Sequence, residues 1–543
     1  MNYPELLIIL IGAIAVTIIA EHKNFQPPLA VVLVGLLASY LPGLHEFELE
    51  PEVILRIVLP PLLFSTALNI SLTNFLKRIK AISNLGVILV IVTTLAVGFS
   101  ASWFVPSLSL GSALVLGAVI APPDAVTAVA IGRRLGLPKR VMTILTGESL
   151  VNDAAALTLF TITVATVAGT PIFIDNVVLF FLYNAGVGVI LGLVVGIIVH
   201  WIRVRLHGAA IVTALGIITP FAAFLIAEEV HASGVLAVVA AGFYLGRHTS
   251  EIQFNARIQE KNAWSTIDVL LETFVFAYIG LQLRFVLEDA NQGGYSTPEI
   301  LLYSLGVFMV ITLVRLVWVV GSNIVSHWNY RRDKARFPDK KILIPLTRPE
   351  SIVVSWTGMR GVVTLAAAAG IPLITTTGQA FPGRPAIQAI AFLVTVSTLL
   401  IQGLTLPWLI TQLHIVDPHE AEIEQSQLNY AQRISRKAAV EAFQRFSVQY
   451  PALQSQNLID KFQEQTLRNY ELRQLIQSNS SPEEMRHFMN MLVSLSQYVV
   501  TAQRDALIAE RDAEHISDDV LRTAFENLDL QEAVILNRYK DLL

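Results

Sequence analysis

The chain has 543 residues, 54% of them hydrophobic, a net charge of −4 and a mean hydropathy of +0.59. That is too apolar for a soluble protein of this size and fits a polytopic membrane protein. The absence of cysteine excludes disulfides, thiolate metal sites, iron–sulfur clusters and cysteine nucleophiles, and the absence of a GxxxxGK[ST] stretch leaves an ATP-driven pump without its phosphate site.

The first apolar segment, Leu6 to Ala20, has Glu5 ahead of it, no basic start and no small-residue cleavage pattern. It reads as a retained helix rather than a secretory signal. Long apolar runs continue along the chain and give about thirteen candidate spans, judged against the ~20 residues that cross a bilayer. They lie near 4–20, 28–42, 51–70, 83–104, 108–132, 142–168, 177–202, 208–227, 233–247, 264–284, 300–326, 350–373 and 385–413. Basic residues in the connecting loops fall into two alternating sets, twenty in the set that runs from Lys23 to Arg348 against only Arg284 and Arg384 in the other. The positive-inside rule then puts the N-terminus outside, and an odd number of spans leaves the C-terminus in the cytoplasm, with the plasma (inner) membrane as the expected location.

After residue 413 the character changes. "HEAEIEQSQLNYAQRISRKAAVEAFQRF" is charged with apolar residues at helical spacing, and 414–543 carries 20 acidic and 13 basic residues. The expected organisation is a transmembrane domain over 1–413 and a soluble helical cytoplasmic domain over 414–543. Ser481 and Ser517 stand where helix caps belong. Nothing in this tail names a ligand.

Charge inside the membrane segments is sparse. In "GESLVNDAAALTLF", Gly147 to Phe160, the polar residues Glu148, Ser149, Asn152 and Asp153 place Ser149 with Asp153 on one helix face and Glu148 with Asn152 on another. Asp153 lies about eleven residues into its span, near the bilayer midplane, where a carboxylate costs roughly 2.5–3.5 kcal/mol and marks a functional site by default. The bland alternative is a protonated acid hydrogen-bonded inside the bundle.

In "GAVIAPPDAVTAVAIGRR", Pro122 and Pro123 precede Asp124 within a span. Two missing backbone donors break the helix there, and carbonyls freed at such a break can coordinate a cation. A simple kink with Asp124 capping the second half-helix is the competing reading, and the two are compatible.

In "SWTGMRGVVTLAAAAGIP", Arg360 lies ten residues into its span between Gly358 and Gly361. A guanidinium at that depth calls for a partner, and Glu148 is the expected one, with Asn152 completing the bridge. Glu148 then braces the fold and Asp153 binds. The Pro-broken span is fifth and the Arg-bearing span twelfth, an offset of seven that makes them antiparallel, as inverted repeats require.

These residues resemble the monovalent cation:proton antiporters of the NhaP and NHE type. "GESLVNDAAALTLF", "PPDAVTAVA" and "RGVVTLAAA" are similar to three of that family's motifs in the right order, with weaker echoes in "LPPLLFSTALN", "SGVLAVVAAGFYLG" and "FAYIGLQL". The resemblance covers about residues 1–413 and not the tail. It implies an NhaA-like all-α fold of inverted repeats with two broken crossing helices, a homodimer, and exchange of Na⁺, or of K⁺ or Li⁺, for H⁺ in pH homeostasis. It also implies that Asp153 carries cation and proton, with Asp124 and Ser149 as further oxygen ligands, and that Glu148, Asn152 and Arg360 form a structural bridge. The Asn152–Asp153 pair is similar to the electroneutral branch. Pro123 departs from the family, which commonly has a hydroxyl residue there, so its carbonyl is the ligand that remains.

A carboxylate so placed holds either a proton or a cation, and competition for one site is the coupling. Asp268 and Glu272, at i and i+4 near the start of the tenth span, are candidates for the ion path, and Glu228, Glu229 and His231 for its outer end. His45, His200 and His207 lie near membrane surfaces, but the eleven histidines show no metal-ligand spacing. No cofactor and no nucleic-acid partner are expected; the partners are lipid and the transported cation. A cation channel would need a filter-like carbonyl segment that the chain does not show. An intramembrane hydrolase using Ser149 and Asp153 would lack a base in the same spans.

Overall fold

The computed structural model describes residues 3–41, 51–206, 208–337, 343–415, 418–449 and 482–540. His45, His207 and Ser481 lie outside these. Among the described residues the protein is all helical, and it divides into two units.

The first unit begins with α1 (Tyr3–His22), α2 (Pro27–Ala38), α3 (Ile54–Asn69), the short α4 (Leu72–Lys77) and α5 (Ile79–Phe104). Then come α6 (Leu110–Ile120), α7 (Val126–Leu135), α8 (Lys139–Ala168), α9 (Val177–Arg205), α10 (Ala209–Glu229) and α11 (Gly234–Arg247). α12 (Phe254–Leu281), α13 (Leu283–Gln292), α14 (Thr297–Arg336), α15 (Arg348–Trp356), α16 (Val362–Ala369) and α17 (Arg384–Gln412) complete it, although the first turns of α12 belong to the second unit.

Seven of these helices are long and apolar enough to cross a membrane alone: α5, α8, α9, α10, α12, α14 and α17. The fifth expected span is two helices, α6 and α7, and the twelfth is α15 and α16, of nine and eight residues. Neither half is long enough to span by itself, for the reason the prolines and glycines foretold.

Chain chemistry sets the ends. The Ser109 hydroxyl accepts from the Ser112 amide at 3.2 Å to start α6, and Thr347 with Glu350 forms a reciprocal capping box that starts α15. Gly136 and Gly169, at φ of 72° and 75°, close α7 and α8.

Two large apolar clusters and two small ones fill the first unit. Of the large ones, one takes side chains from α2, α5, α6, α7, α14, α16 and α17, and the other from α3, α9, α10 and α11. α8 serves both, giving Val141, Ile144 and Leu145 to the first cluster and Leu150 and Ala154 to the second. Its polar turn, residues 148–153, therefore runs along the seam. In the second cluster α9 meets α11 at Gly192, where a Cβ would stand 2.1 Å from the Ala237 carbonyl oxygen. Only glycine permits that approach, the small-residue packing that membrane helices use in place of a hydrophobic drive.

The second unit consists of Leu206–Ala210, Thr249–Glu260 and Asp417–Leu543. Its helices α18 (Pro418–Gln449), α19 (Pro482–Asp512) and α20 (Asp518–Lys540) bury Ala431, Leu507, Val520, Leu521 and Phe525 in one cluster and Phe443, Phe446, Met491 and Leu495 in another. Ser517 accepts from the Val520 amide at 3.3 Å and so caps α20. The unit thus takes in one stretch that the sequence assigns to a membrane loop, Thr249–Glu260, and one that straddles the expected start of the eighth span, Leu206–Ala210.

Candidate ion-binding site

The site is built from two broken helices and the polar turn of α8. α6 stops at Ile120 because Pro122 and Pro123 cannot donate to it. Instead of entering a helix, the Asp124 amide donates to the Met359 carbonyl at 2.6 Å, so the two breaks meet. Asp124 Oδ1 accepts from the Val126 amide at 2.9 Å, which starts α7. Its Oδ2 lies over Gly361, the residue that precedes α16: a Cβ on Gly361 would stand 2.1 Å from it. One carboxylate thus serves the positive N-terminal ends of two half-helices.

Arg360 serves the opposite ends. Its Nε donates to the Ile120 carbonyl at 2.8 Å and an Nη to that of Ala121 at 3.4 Å, acceptors at the end of α6 whose i+4 amides, on Asp124 and Ala125, turn instead to Met359 and Ser149. The other Nη donates to the Gly358 carbonyl. The Arg360 amide donates at 2.9 Å to the hydroxyl of Thr398, which lies in a π-helical turn of α17.

The expected Glu148–Arg360 pair does not form. Glu148 accepts from both Nη atoms of Arg315, at 2.5 and 2.9 Å, and Arg315 Nε donates to the Val354 carbonyl at 3.1 Å. Glu148 is 2% exposed and Arg315 3%. The physical reason is that a broken helix offers carbonyls enough to satisfy one guanidinium, while a second, on α14, supplies the planar fork that fits a carboxylate. Arg315 is not among the residues expected at the site, although a lone arginine in "LYSLGVFMVITLVRLVWVV" carries the same depth signal as Arg360.

Asn152 does not join that pair either; its Nδ2 donates to the Pro123 carbonyl at 2.6 Å. Ser149 Oγ lies 3.5 Å from the Ala125 amide, at the start of α7. Asp153, 6% exposed, has no hydrogen bond to its carboxylate among the described residues, and Asp124 is within electrostatic reach. Three further buried oxygens, Thr127 Oγ1, Asn152 Oδ1 and Thr364 Oγ1, have no partner among the described residues.

Asp268 and Glu272 lie in the middle of α12 rather than near its start, because the helix begins at Phe254 with a polar stretch. Asp268 Oδ2 accepts from Ser65 of α3 at 2.5 Å, and Glu272 is within electrostatic reach of Asp268, Asp124 and Arg133. Farther out, Glu228 pairs with Arg56 at 3.4 Å, and Phe173 packs on His231. His200 packs on His248 and Tyr244.

The arrangement is one of oxygen donors at half-helix ends with one uncompensated carboxylate. The family described as "Sodium/hydrogen exchanger, transmembrane" matches residues 6–412. The chain belongs to that family. An uncharacterized Na⁺/H⁺ exchanger of Escherichia coli strain K12 is 28% identical over 96% of each chain. A "sodium, potassium, lithium and rubidium/H⁺ antiporter" of Bacillus pumilus is 31% identical over 72% of this chain and 59% of its own. The fold is similar to that of the sodium proton antiporter MjNhaP1 of Methanocaldococcus jannaschii, with a TM-score of 0.59 and 19% identity, covering 76% of this chain and 98% of that one. The exchanger is therefore a membrane-embedded secondary transporter that couples cation and proton movement, not an enzyme.

Proposed function

We propose that the exchanger swaps one Na⁺, or a similar monovalent cation, for one H⁺ at Asp153, without net charge movement. The observation that carries this reading is the contrast on α8: Glu148 is closed by Arg315, whereas Asp153 faces no cationic partner among the described residues. Asp124, Ser149 and the free lone pair of the Pro123 carbonyl supply further oxygens, and the metal bound is the transported monovalent cation alone. Asn152 holds Pro123 in place, and Arg360 neutralises the break, so both brace rather than bind.

The cycle follows from the charges. An empty site carries uncompensated negative charge in the membrane and is costly to move. A protonated or cation-loaded site is compensated, so only loaded forms alternate between the two faces, and the ions exchange one for one. Asp268 and Glu272 line the path between Asp153 and the cytoplasm. The thirteen-span arrangement with inverted repeats, an outside N-terminus, a cytoplasmic tail, a plasma-membrane location and a homodimer belong to the same reading. The two interrupted helices, seven spans apart, and the twenty-to-two split of loop charge support it. The Bacillus pumilus relative, whose name carries four cations, favours K⁺ and Li⁺ as second substrates.

Competition is the test. Apparent Na⁺ affinity, measured as ²²Na⁺ uptake into proteoliposomes, falls in proportion as proton concentration rises. An affinity independent of pH contradicts a shared site and revives the channel reading.

A further inference from the structure

A second concentration of buried charge lies in the second unit. Arg257, in the first turns of α12, donates through Nε to Asp529 Oδ2 of α20 at 2.9 Å and through an Nη to Asp529 Oδ1. Its other Nη reaches the Ile252 carbonyl at 2.5 Å and that of Ser250 at 3.3 Å. Arg504 of α19 donates to Asp529 at 2.5 Å and to Glu532 at 2.6 Å. Arg257, Asp529 and Glu532 are 8%, 5% and 7% exposed. Two guanidinium and two carboxylate groups therefore balance there, three of them buried and Arg504 15% exposed.

Such a network is a poor device for stability, because desolvation offsets most of its attraction and apolar residues of like volume do as well. What it supplies is registration: a planar fork held on four acceptors fixes both the rotation and the height of the helix that bears it. The helix here is α12, which has no proline at all and no glycine before Gly280. It runs unbroken from Phe254 to Leu281. Asp268 lies eleven residues beyond Arg257 and Glu272 fifteen, roughly 16 and 22 Å along an unbroken helix.

We propose that Arg257, Asp529, Arg504 and Glu532 are positioning residues through which the tail sets the placement of α12, and with it the two path carboxylates. The route by which they act rests on the reading of Asp268 and Glu272 given above. Acting as one unit, the network sets how readily the cation is taken up more than how fast the loaded site turns over.

The test uses the full chain in proteoliposomes, with KM for Na⁺ and the maximal rate measured separately. Arg257→Gln and Asp529→Asn each raise KM about threefold, with the maximal rate within about twofold. The double variant raises KM no further, because the two side chains form one contact. Arg257→Lys, which keeps the charge but loses the fork, falls between, and it carries the test should Arg257→Gln fail to fold. Unchanged KM in these variants, or additive effects in the double variant, overturns the proposal. Glu272→Gln is measured alongside: a raised KM there with none in the network variants discards the tail's role and keeps the path. The reverse pattern keeps the tail's role and discards the path.

Discussion

Glu148 and Asp153 lie five residues apart on α8, both all but inaccessible to water, and they differ in what faces them. Glu148 meets both Nη atoms of Arg315. Asp153 is buried within electrostatic reach of the Asp124 carboxylate, with no cation of the protein paired to it among the described residues. Sequence neighbours of the same chemical class thus take different work, because the helix turns one toward α14 and the other toward the break. A buried charge that is matched belongs to the architecture, and one left unmatched is held for something that comes and goes.

That contrast can be broken most severely at Arg315. Arg315→Ala leaves Glu148 buried and unpaired, and is expected to cost about 3–5 kcal/mol of stability. The detergent-solubilised variant then melts well below wild type, and an unchanged melting temperature would show that Glu148 has another partner. At the crossing, Gly361→Ala pushes a methyl against Asp124 Oδ2, with an expected cost of about 1–3 kcal/mol. Transport falls further than stability does, because Asp124 must shift; equal transport per folded molecule would remove Asp124 from the site. Asn152→Ala frees the Pro123 carbonyl and costs about 1 kcal/mol, with a change in cation order as its signature.

The smallest effect lies in the tail. There the Glu510 carboxyl is held below its ordinary range by His515 Nδ1 at 2.6 Å and the Tyr430 hydroxyl at 3.0 Å. A carboxyl lowered on folding adds stability above its unfolded value of about 4.3, and that stability is lost as pH falls through the lowered value. Glu510→Gln therefore lowers the tail's melting temperature slightly at neutral pH, leaves it unchanged at the most acid pH and so flattens the acid limb; an acid limb identical to wild type would contradict the assignment.

Much of this site is legible in the sequence because membrane depth makes every charge conspicuous. Asp153, Glu148, Asp124 and Arg360 declare themselves by lying in apolar runs, and Pro122–Pro123 declares the break. Partner choice is less legible. Depth alone pairs Arg360 with an acid, but the Ile120, Ala121 and Gly358 carbonyls satisfy it, because the break leaves more acceptors than the helices themselves use. With Arg360 occupied, Glu148 required another cation, and Arg315 was there to be found by the same depth argument. The meeting of the Asp124 amide with the Met359 carbonyl and the π turn at Thr398 are backbone events with no side-chain signature. The early start of α12 was hidden by its polar first turns, which a search for apolar runs passes over.

The measurement that bears most directly on Asp153 is cation-induced dequenching of a pH-gradient dye in proteoliposomes, with wild type and Asp153→Asn compared for Na⁺, K⁺ and Li⁺. Dequenching by wild type and none by a folded Asp153→Asn variant is the predicted result, with the order of ions naming the substrate. A normal signal from Asp153→Asn would place the exchange at another carboxylate and contradict the account.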